Sequence, residues 1–190
     1  MVNHLRRSIL NLIIFLFLIG LAANILYNNL SPTPPIRTDQ NLSHEVLGVY
    51  FSPRGGCANQ VIHWIERANN SIYIMIYSFT LDSIGNAILD AYRRGVEVRV
   101  VFEKSQISQY SEYYRLKAAG VMVRVDTNPH LMHHKVMIVD GVIVLTGSFN
   151  WSASAENENN ENLIVIKSKA VAEAYRAEFM KIWNQSVTDT

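Results

Sequence analysis

Short apolar runs alternate with amphipathic segments along most of this chain, and this alternation constrains its fold more than any other feature. The apolar runs are rich in Val, Ile and Tyr, which favours strands, and Gly95 and Gly120 follow two of the amphipathic segments, which is typical of helix ends. The predicted strands are residues 46–51, 71–78, 96–102, 121–126, 135–139, 142–146 and 163–166. The predicted helices are residues 58–68, 83–94, 108–119 and 169–183. Such a succession predicts an α/β sandwich with a mixed β-sheet flanked by helices, since the final hairpin must be antiparallel.

An uncharged apolar segment extends from residue 8 to residue 27. It has about the 20 residues that a helix needs to cross a bilayer. Because Arg6 and Arg7 precede it, the positive-inside rule places the N-terminus in the cytoplasm and the rest outside, in the periplasm or at the cell surface. We therefore predict an N-terminal transmembrane helix that anchors the protein in a membrane. A cleaved signal peptide is the alternative, since small residues occur at Ala22 and Ala23, and the protein would then be secreted.

The segment after this apolar stretch separates it from one folded domain. Residues 28–43 include Ser31-Pro32-Thr33-Pro34-Pro35, which is incompatible with a helix and predicts an extended linker. The predicted organisation is a cytoplasmic N-terminus (1–7), the anchor or signal peptide (8–27), the linker (28–43) and a domain (44–190).

Composition limits what that domain can bind. The chain has 17 Lys and Arg against 16 Asp and Glu, and residues 1–36 hold two of the bases and none of the acids. The remainder therefore carries 15 bases and 16 acids, so nucleic-acid binding would need a local basic groove rather than a positive field over the whole domain. Cys57 is the only cysteine, which excludes an intrachain disulfide and a cysteine-rich zinc site.

The predicted strand at residues 135–139 carries a candidate site at its start. Side chains two residues apart share one face of a strand, so His133 and Lys135 should point the same way. Asp140 has the opposite parity and lies about 17 Å from Lys135 along a straight strand, at about 3.3 Å per residue. Asp140 precedes Gly141 between two apolar runs, which predicts a hairpin turn. We therefore expect Asp140 to be structural and not to contact the same ligand.

The hairpin would return the chain to the level of His133. It would bring Ser148 and Asn150, which share parity with each other, close to His133 and Lys135. An imidazole, an ammonium group, a hydroxyl and an amide would then surround one anionic group. Hydrolysis of a phosphodiester without a metal ion requires this combination of groups.

The spacing of these residues resembles the HKD signature of the phospholipase D superfamily. The matching positions are His133, Lys135, Asp140, Gly147, Ser148 and Asn150. Three further stretches are similar to the small, single-motif bacterial endonucleases of that superfamily: Tyr50-Phe51-Ser52-Pro53, Tyr77-Ser78-Phe79-Thr80 and Glu161-Asn162-Leu163. The resemblance covers residues 46–184 and implies a phospholipase D-like α/β sandwich.

The resemblance also implies a mechanism without a metal or cofactor. His133 would act as the nucleophile or the acid, through a phosphohistidine intermediate. Lys135, Ser148 and Asn150 would contact the phosphate, and Glu161 would orient the His133 ring. Asp140 would belong to the motif without a direct chemical role. Because the chain has one motif and larger relatives have two, the resemblance implies a homodimer with a shared active site.

We predict that the protein is a non-specific endonuclease that hydrolyses phosphodiester bonds of DNA or RNA. The alternative is a phospholipase D or cardiolipin-type hydrolase that acts on membrane lipid headgroups, for which an anchor is natural. A third hypothesis is a binding module that has lost catalysis, but the intact motif argues against it.

Several residues have a simpler interpretation. His134 faces away from His133 and is expected to be a core or edge residue. A metal site formed by His130, His133, His134 and Asp140 is disfavoured, because strand parity divides these side chains between two faces. Phe79 could stack on a base or lie along a lipid chain, but core packing accounts for it equally well. The segment from residue 156 to residue 161 is expected to be a solvated turn.

Overall fold

A mixed sheet with helices on both faces is built from residues 44–188 of the computed structural model, which describes residues 14–16, 18–20 and 44–188. The strands are β1 (Glu45–Ser52), β2 (Ser71–Ile76), β3 (Glu97–Phe102), β4 (Met122–Val125), β5 (Lys135–Val139), β6 (Ile143–Gly147) and β7 (Glu161–Lys167). The helices of this part are α1 (Cys57–Arg67), α2 (Asp82–Arg93), α3 (Glu112–Ala118), α4 (Ala153–Asn157) and α5 (Lys169–Gln185). The expected α/β fold with a mixed sheet flanked by helices is confirmed.

The strand order is β1-β7-β6-β5-β2-β3-β4. β2, β3 and β4 are parallel, whereas β5 runs antiparallel to β2 and forms a hairpin with β6. In this register Ile76 pairs with Lys135, and Val136 pairs with Thr146. The C-terminal ends of β2, β3 and β6 therefore lie next to the N-terminal end of β5, on the same side of the sheet's strands.

Alternate residues of the strands enter two cores on opposite faces of the sheet. On β5, Met137 packs with residues of α1, α2 and α3, whereas Val136 and Ile138 pack with Phe179 and other residues of α5. The side chain of Lys135 shares parity with Met137. It therefore lies on the face that α1 to α3 cover, at the N-terminal end of β5, where that core ends.

The chain divides into two units, Met1–Arg37 and Thr38–Thr190. Of the predicted anchor, residues 8–27, only residues 14–16 and 18–20 are described, and they are helical. The rest of the anchor and the linker at residues 28–43 lie outside the described residues. Among the residues that are described, no helix is both long and apolar enough to cross a membrane.

Candidate active site

His133 and Lys135 converge on the ring of Tyr77, which follows β2. The rings of His133 and Tyr77 meet edge to face with their centroids 4.4 Å apart, and Lys135 Nζ lies 4.6 Å from the centroid of Tyr77. Lys135 Nζ also donates a hydrogen bond of 2.9 Å to the carbonyl oxygen of His133. Gln106 Nε2 donates to Tyr77 Oη at 3.1 Å and so holds the tyrosine from its other end. Both predicted site residues therefore lie on one side, although His133 precedes the first residue of β5.

The ammonium group of Lys135 is largely removed from water. Lys135 is 7% exposed, and this burial lowers its pKa to about 8, while the negative charge of Glu161 acts in the opposite direction. A charge in such a place interacts with an anion more strongly than a charge in bulk water, because the effective dielectric constant is lower. The exposed imidazole of His133 stands beside this cation.

Ser148 and Glu161 form a hydrogen-bonded cluster at the end of β6. Ser148 Oγ donates to Glu161 Oε2 at 2.5 Å and accepts from the backbone N–H of Asn162 at 3.1 Å. The second oxygen of Glu161 accepts from Asn159 Nδ2 at 3.2 Å. The hydroxyl proton of Ser148 is thus already donated, so Ser148 can donate to a phosphate only by giving up its bond to Glu161.

The hydrogen bond expected between Glu161 and His133 is not formed within the described chain. Glu161 is the first residue of β7, and β6 lies between β7 and β5. Since neighbouring strands are about 4.8 Å apart, the carboxylate of Glu161 meets the end of β6 before it can reach the histidine. In a single subunit, Glu161 contacts the Ser148 hydroxyl and influences Lys135 through its charge.

Asn150 lies between two buried aromatic residues that fix its backbone. Phe149 is fully buried, and the backbone N–H of Trp151 donates to the carbonyl of Ser78 at 3.0 Å. Asn150 Oδ1 is buried and accepts no hydrogen bond from any residue within the described part of the chain. A buried acceptor of this kind costs about 1–3 kcal/mol and is typical of positions kept for a ligand or for chemistry.

Asp140 lies in the turn between β5 and β6, at the opposite end of β5 from Lys135. Asp140 and Gly141 have φ angles of 50° and 64°, as this tight turn requires. The carboxylate accepts hydrogen bonds of 2.8–3.0 Å from the backbone N–H groups of Asn69, Asn70 and Ser71, which lead into β2. Partial burial would raise the pKa of Asp140, but these three bonds outweigh it and lower the pKa. Asp140 therefore joins the hairpin to the start of β2 and does not reach the other residues of the motif.

Glu103 is a contributor to this site that the sequence did not reveal. It follows β3 and is fully buried, with Oε2 accepting from the backbone N–H of Met132 at 2.8 Å and Oε1 from that of Ser105 at 3.0 Å. Burial would raise its pKa, but the hydrogen bonds prevail and lower it, so the carboxylate is ionised at neutral pH. Met132 immediately precedes His133, so Glu103 fixes the backbone that carries the histidine. The sequence feature that could have pointed to Glu103 is its position as a charged residue directly after a strongly apolar strand.

A sequence model described as "Cardiolipin synthase, PLD-like domain" matches residues 61–183, which include His133, Lys135, Ser148, Asn150 and Glu161. The chain belongs to the phospholipase D-like family.

Curated relatives carry related names. A phospholipase D of Rickettsia prowazekii is 38% identical to this phospholipase D-like chain over 135 residues, which are 70% of this chain and 66% of the relative. A mitochondrial cardiolipin hydrolase of Xenopus tropicalis is 37% identical over 120 residues, covering 63% of this chain and 57% of the relative. The matched stretch thus spans just under two thirds of the first relative's length and less of the second.

A solved structure covers the fold more completely. The phospholipase D family member Nuc from Salmonella typhimurium matches with a TM-score of 0.71 and 35% identity, over 76% of this chain and 97% of that chain. Together with the family match, this confirms the placement of the phospholipase D-like domain in the Nuc-like branch.

The structure gives the positions of two residues for which the sequence allowed a simpler interpretation, His134 and Phe79. His134 lies on the α5 side of the sheet, where burial lowers its pKa and Glu178 acts against that effect. Phe79 is 1% exposed and packs on Phe102 and Trp151, so it belongs to the core. Among the described residues, no three His, Cys, Asp or Glu side chains are grouped so that they could hold a metal ion.

The expectation of a solvated turn at residues 156–161 was wrong in part. Helix α4, with Ser152 as its N-cap, ends at Asn157, and β7 already begins at Glu161. The carboxylate of Glu156 accepts from the backbone N–H of Ala58 at 2.9 Å, near the start of α1. This negative charge is favourable there because the N-terminus of a helix carries unpaired N–H groups.

We predict that Asp140→Asn lowers the free energy of unfolding by about 2–4 kcal/mol, because bonds from three N–H groups to a charged acceptor are weakened. Hydrolysis per folded molecule should change less than about threefold. Urea denaturation and kinetics at a permissive temperature test this. The difference from the wild type should shrink as the pH falls through the lowered pKa of Asp140, because protonation removes the same contribution from the wild type. A stable but inactive variant would show that Asp140 acts in the chemistry.

We predict that substrate binding weakens as the pH rises above about 8. Lys135 is charged below its pKa of about 8 and neutral above it, so attraction to the phosphate is lost in that direction. KM should rise by up to about tenfold per pH unit beyond this point. In Lys135→Arg, whose guanidinium stays charged, the alkaline rise of KM should disappear. A wild-type KM that is constant from pH 7 to pH 10 would contradict the assignment.

Proposed function

We propose that this protein is a metal-independent phosphodiesterase that acts on DNA or RNA as a non-specific endonuclease. The observation that carries the proposal is the pairing of an exposed imidazole, His133, with a desolvated cation, Lys135, both fixed on Tyr77. Nucleophilic catalysis needs the first group, and charge stabilisation at phosphorus needs the second. The membership in the phospholipase D-like family supports the same chemistry.

In the proposed mechanism, a ring nitrogen of His133 attacks phosphorus and the bond from phosphorus to the leaving oxygen breaks. A second imidazole donates a proton to that oxygen, and the intermediate is a phosphohistidine. The second imidazole then takes a proton from water, which attacks phosphorus and releases His133. Lys135 Nζ and Asn150 Nδ2 donate hydrogen bonds to the non-bridging oxygens, and the Ser148 hydroxyl does so once it releases Glu161.

The second imidazole is proposed to come from another copy of the chain. His134 faces α5, away from Lys135, and does not supply it. A two-fold symmetric homodimer would bring two His133 rings to one cleft, with Lys135 and Asn150 from both subunits around the phosphate. Glu161 orients His133 in this scheme only if the assembled site frees it from Ser148.

The domain is proposed to work outside the cytoplasm, held by the segment at residues 8–27. Arg6 and Arg7 before that segment support this orientation. If the segment were cleaved, the protein would be secreted, and the mass of the mature N-terminus separates these two cases. Recovery of the intact chain in the cytosol would contradict both.

A second candidate function is hydrolysis of a phospholipid headgroup. The exposed apolar side chains of Val46, Val49 and Phe51 on β1 favour it, since Phe51 is 62% exposed and Ser52 of the same strand bonds to the loop before Glu161. The names of the relatives from Rickettsia and Xenopus point the same way.

The decisive experiment offers the full-length protein labelled DNA, labelled RNA and vesicles of phosphatidylglycerol with cardiolipin, each in excess EDTA. The proposal expects cleavage of the nucleic acids and little turnover of lipid. Turnover of lipid alone would establish the second candidate. Activity that appears only after a divalent metal is added would refute the metal-independent mechanism.

A further inference from the structure

A cleft of about 540 Å³ opens beside His133 on the α5 side of the sheet. One wall is the segment from Asp126 to His134, and the other is the last two turns of α5, including Lys181 and Gln185. His133 lines the cleft and also contacts Tyr77, so it stands between the cleft and the side on which Lys135 lies.

The walls of this cleft are tied to the domain and to each other. Thr127 Oγ1 donates to the carbonyl of Gln185 at 2.8 Å, which joins the two walls. Lys104 Nζ donates to the carbonyl of Asn128 at 2.6 Å, and the carboxylate of Glu103 accepts from the backbone N–H of Met132. A cleft formed before its ligand arrives does not require that binding energy be used to order it.

The cleft is polar, and the lysine among the described residues that line it is already paired with a carboxylate. Lys181 Nζ lies 3.2 Å from a carboxylate oxygen of Glu178, so the two charges of this wall compensate each other. His134 is partly buried, and burial lowers its pKa and so favours the neutral ring. Asn128 Oδ1 already accepts from the backbone N–H of His130 at 3.0 Å, so Asn128 offers mainly its Nδ2 as a donor. The side-chain amide of Gln185 offers a donor and an acceptor, and Leu131, 52% exposed, offers an apolar surface.

We propose that this cleft binds the nucleoside attached to the scissile phosphate. Its volume falls within the range of about 300–1,000 Å³ found for small-molecule sites. Amides can donate to and accept from a base edge, and an apolar side chain can cover a base face. A diacylglycerol group would leave these polar atoms without partners, which costs about 1–3 kcal/mol for each buried one. The inference rests on the proposed phosphodiesterase activity and assigns the substrate class to it.

The test compares three chromogenic diesters with the full-length protein: methyl p-nitrophenyl phosphate and the 3′- and 5′-p-nitrophenyl phosphates of thymidine. The wild type should have a lower KM for at least one thymidine ester than for the methyl ester. Gln185→Ala and Leu131→Ser, which alter the two walls separately, should each raise the ratio of thymidine to methyl KM by about 5–10-fold. Asn184→Ala is the matched control, since Asn184 is exposed on the same helix but does not line the cleft, and should leave the ratio unchanged.

The outcomes distinguish this inference from the proposed function. If the wild type hydrolyses all three diesters with equal KM, or if both cleft variants leave the ratio unchanged, the nucleoside site is refuted while the phosphodiesterase stands. If no diester is hydrolysed, the proposed function itself fails. If the cleft variants slow the hydrolysis of phosphatidylglycerol vesicles and leave the thymidine ratio unchanged, the cleft serves a lipid and the inference is wrong.

Discussion

Replacing His133 with Asn should lower phosphodiester hydrolysis on the order of 10⁴-fold, because the proposed nucleophile is removed. The free energy of unfolding should change by less than about 1 kcal/mol, since the exposed ring packs mainly on Tyr77. Steady-state kinetics in EDTA and urea denaturation measure the two quantities. His130→Asn is the matched control, because His130 is exposed in the same segment, and should retain activity.

Mixing His133→Asn with the wild type tests whether two subunits share one active site. If each active site needs His133 from two subunits, an equal mixture that has exchanged subunits should retain about one quarter of the wild-type activity per subunit, since only wild-type pairs are complete. Activity of about one half, in proportion to the wild-type chains, would show that one chain carries a complete site.

The second large effect should come from Glu103. Glu103→Ala leaves the N–H groups of Met132 and Ser105 without acceptors and removes a fully buried side chain. We expect the free energy of unfolding to fall by about 3–5 kcal/mol. kcat should fall by about 10–100-fold per folded molecule with a smaller change in KM, because Met132 no longer fixes the backbone of His133.

A conservative replacement and a pH series distinguish two roles of Glu103, the positioning of His133 and the stabilisation of the fold. Glu103→Gln keeps one acceptor and should recover part of both losses, whereas Glu158→Ala, which removes an exposed carboxylate, should be neutral. The pKa of Glu103 is lowered on folding, so its contribution to stability is complete above the unfolded pKa and is lost as the pH falls through the folded one. If the Glu103→Ala variant is less stable but keeps the wild-type kcat, the role of Glu103 is purely structural.

What the sequence revealed about this site was mainly local. The common side of His133 and Lys135 follows from a two-residue period, and the turn at Asp140 follows from residues that accept positive φ. Strand positions were predictable for the same reason. Helix α3 was expected from residue 108 but begins at Glu112, because the hydroxyl of Ser111 caps it.

What the sequence did not reveal depends on which strands become neighbours. The contact between Ser148 and Glu161 exists because β7 is next to β6, an order that no periodicity encodes. The bond from Met132 to Glu103 likewise joins segments that only the folded sheet brings together. The sequence therefore shows the two acceptors, Glu103 and Glu161, but it does not show which groups donate hydrogen bonds to them.

The pairing of β1 with β7 has a consequence for when the enzyme becomes active. Glu45 at the start of the domain pairs with Lys167 near its end, and β7 also supplies the acceptor for Ser148. A chain that emerges from its N-terminus first would keep β1 and β6 as unpaired edges until β7 arrives, and such long-range pairing forms late. The sheet is then completed in the same step that brings Glu161 to Ser148, so we expect a chain that lacks β7 to be inactive.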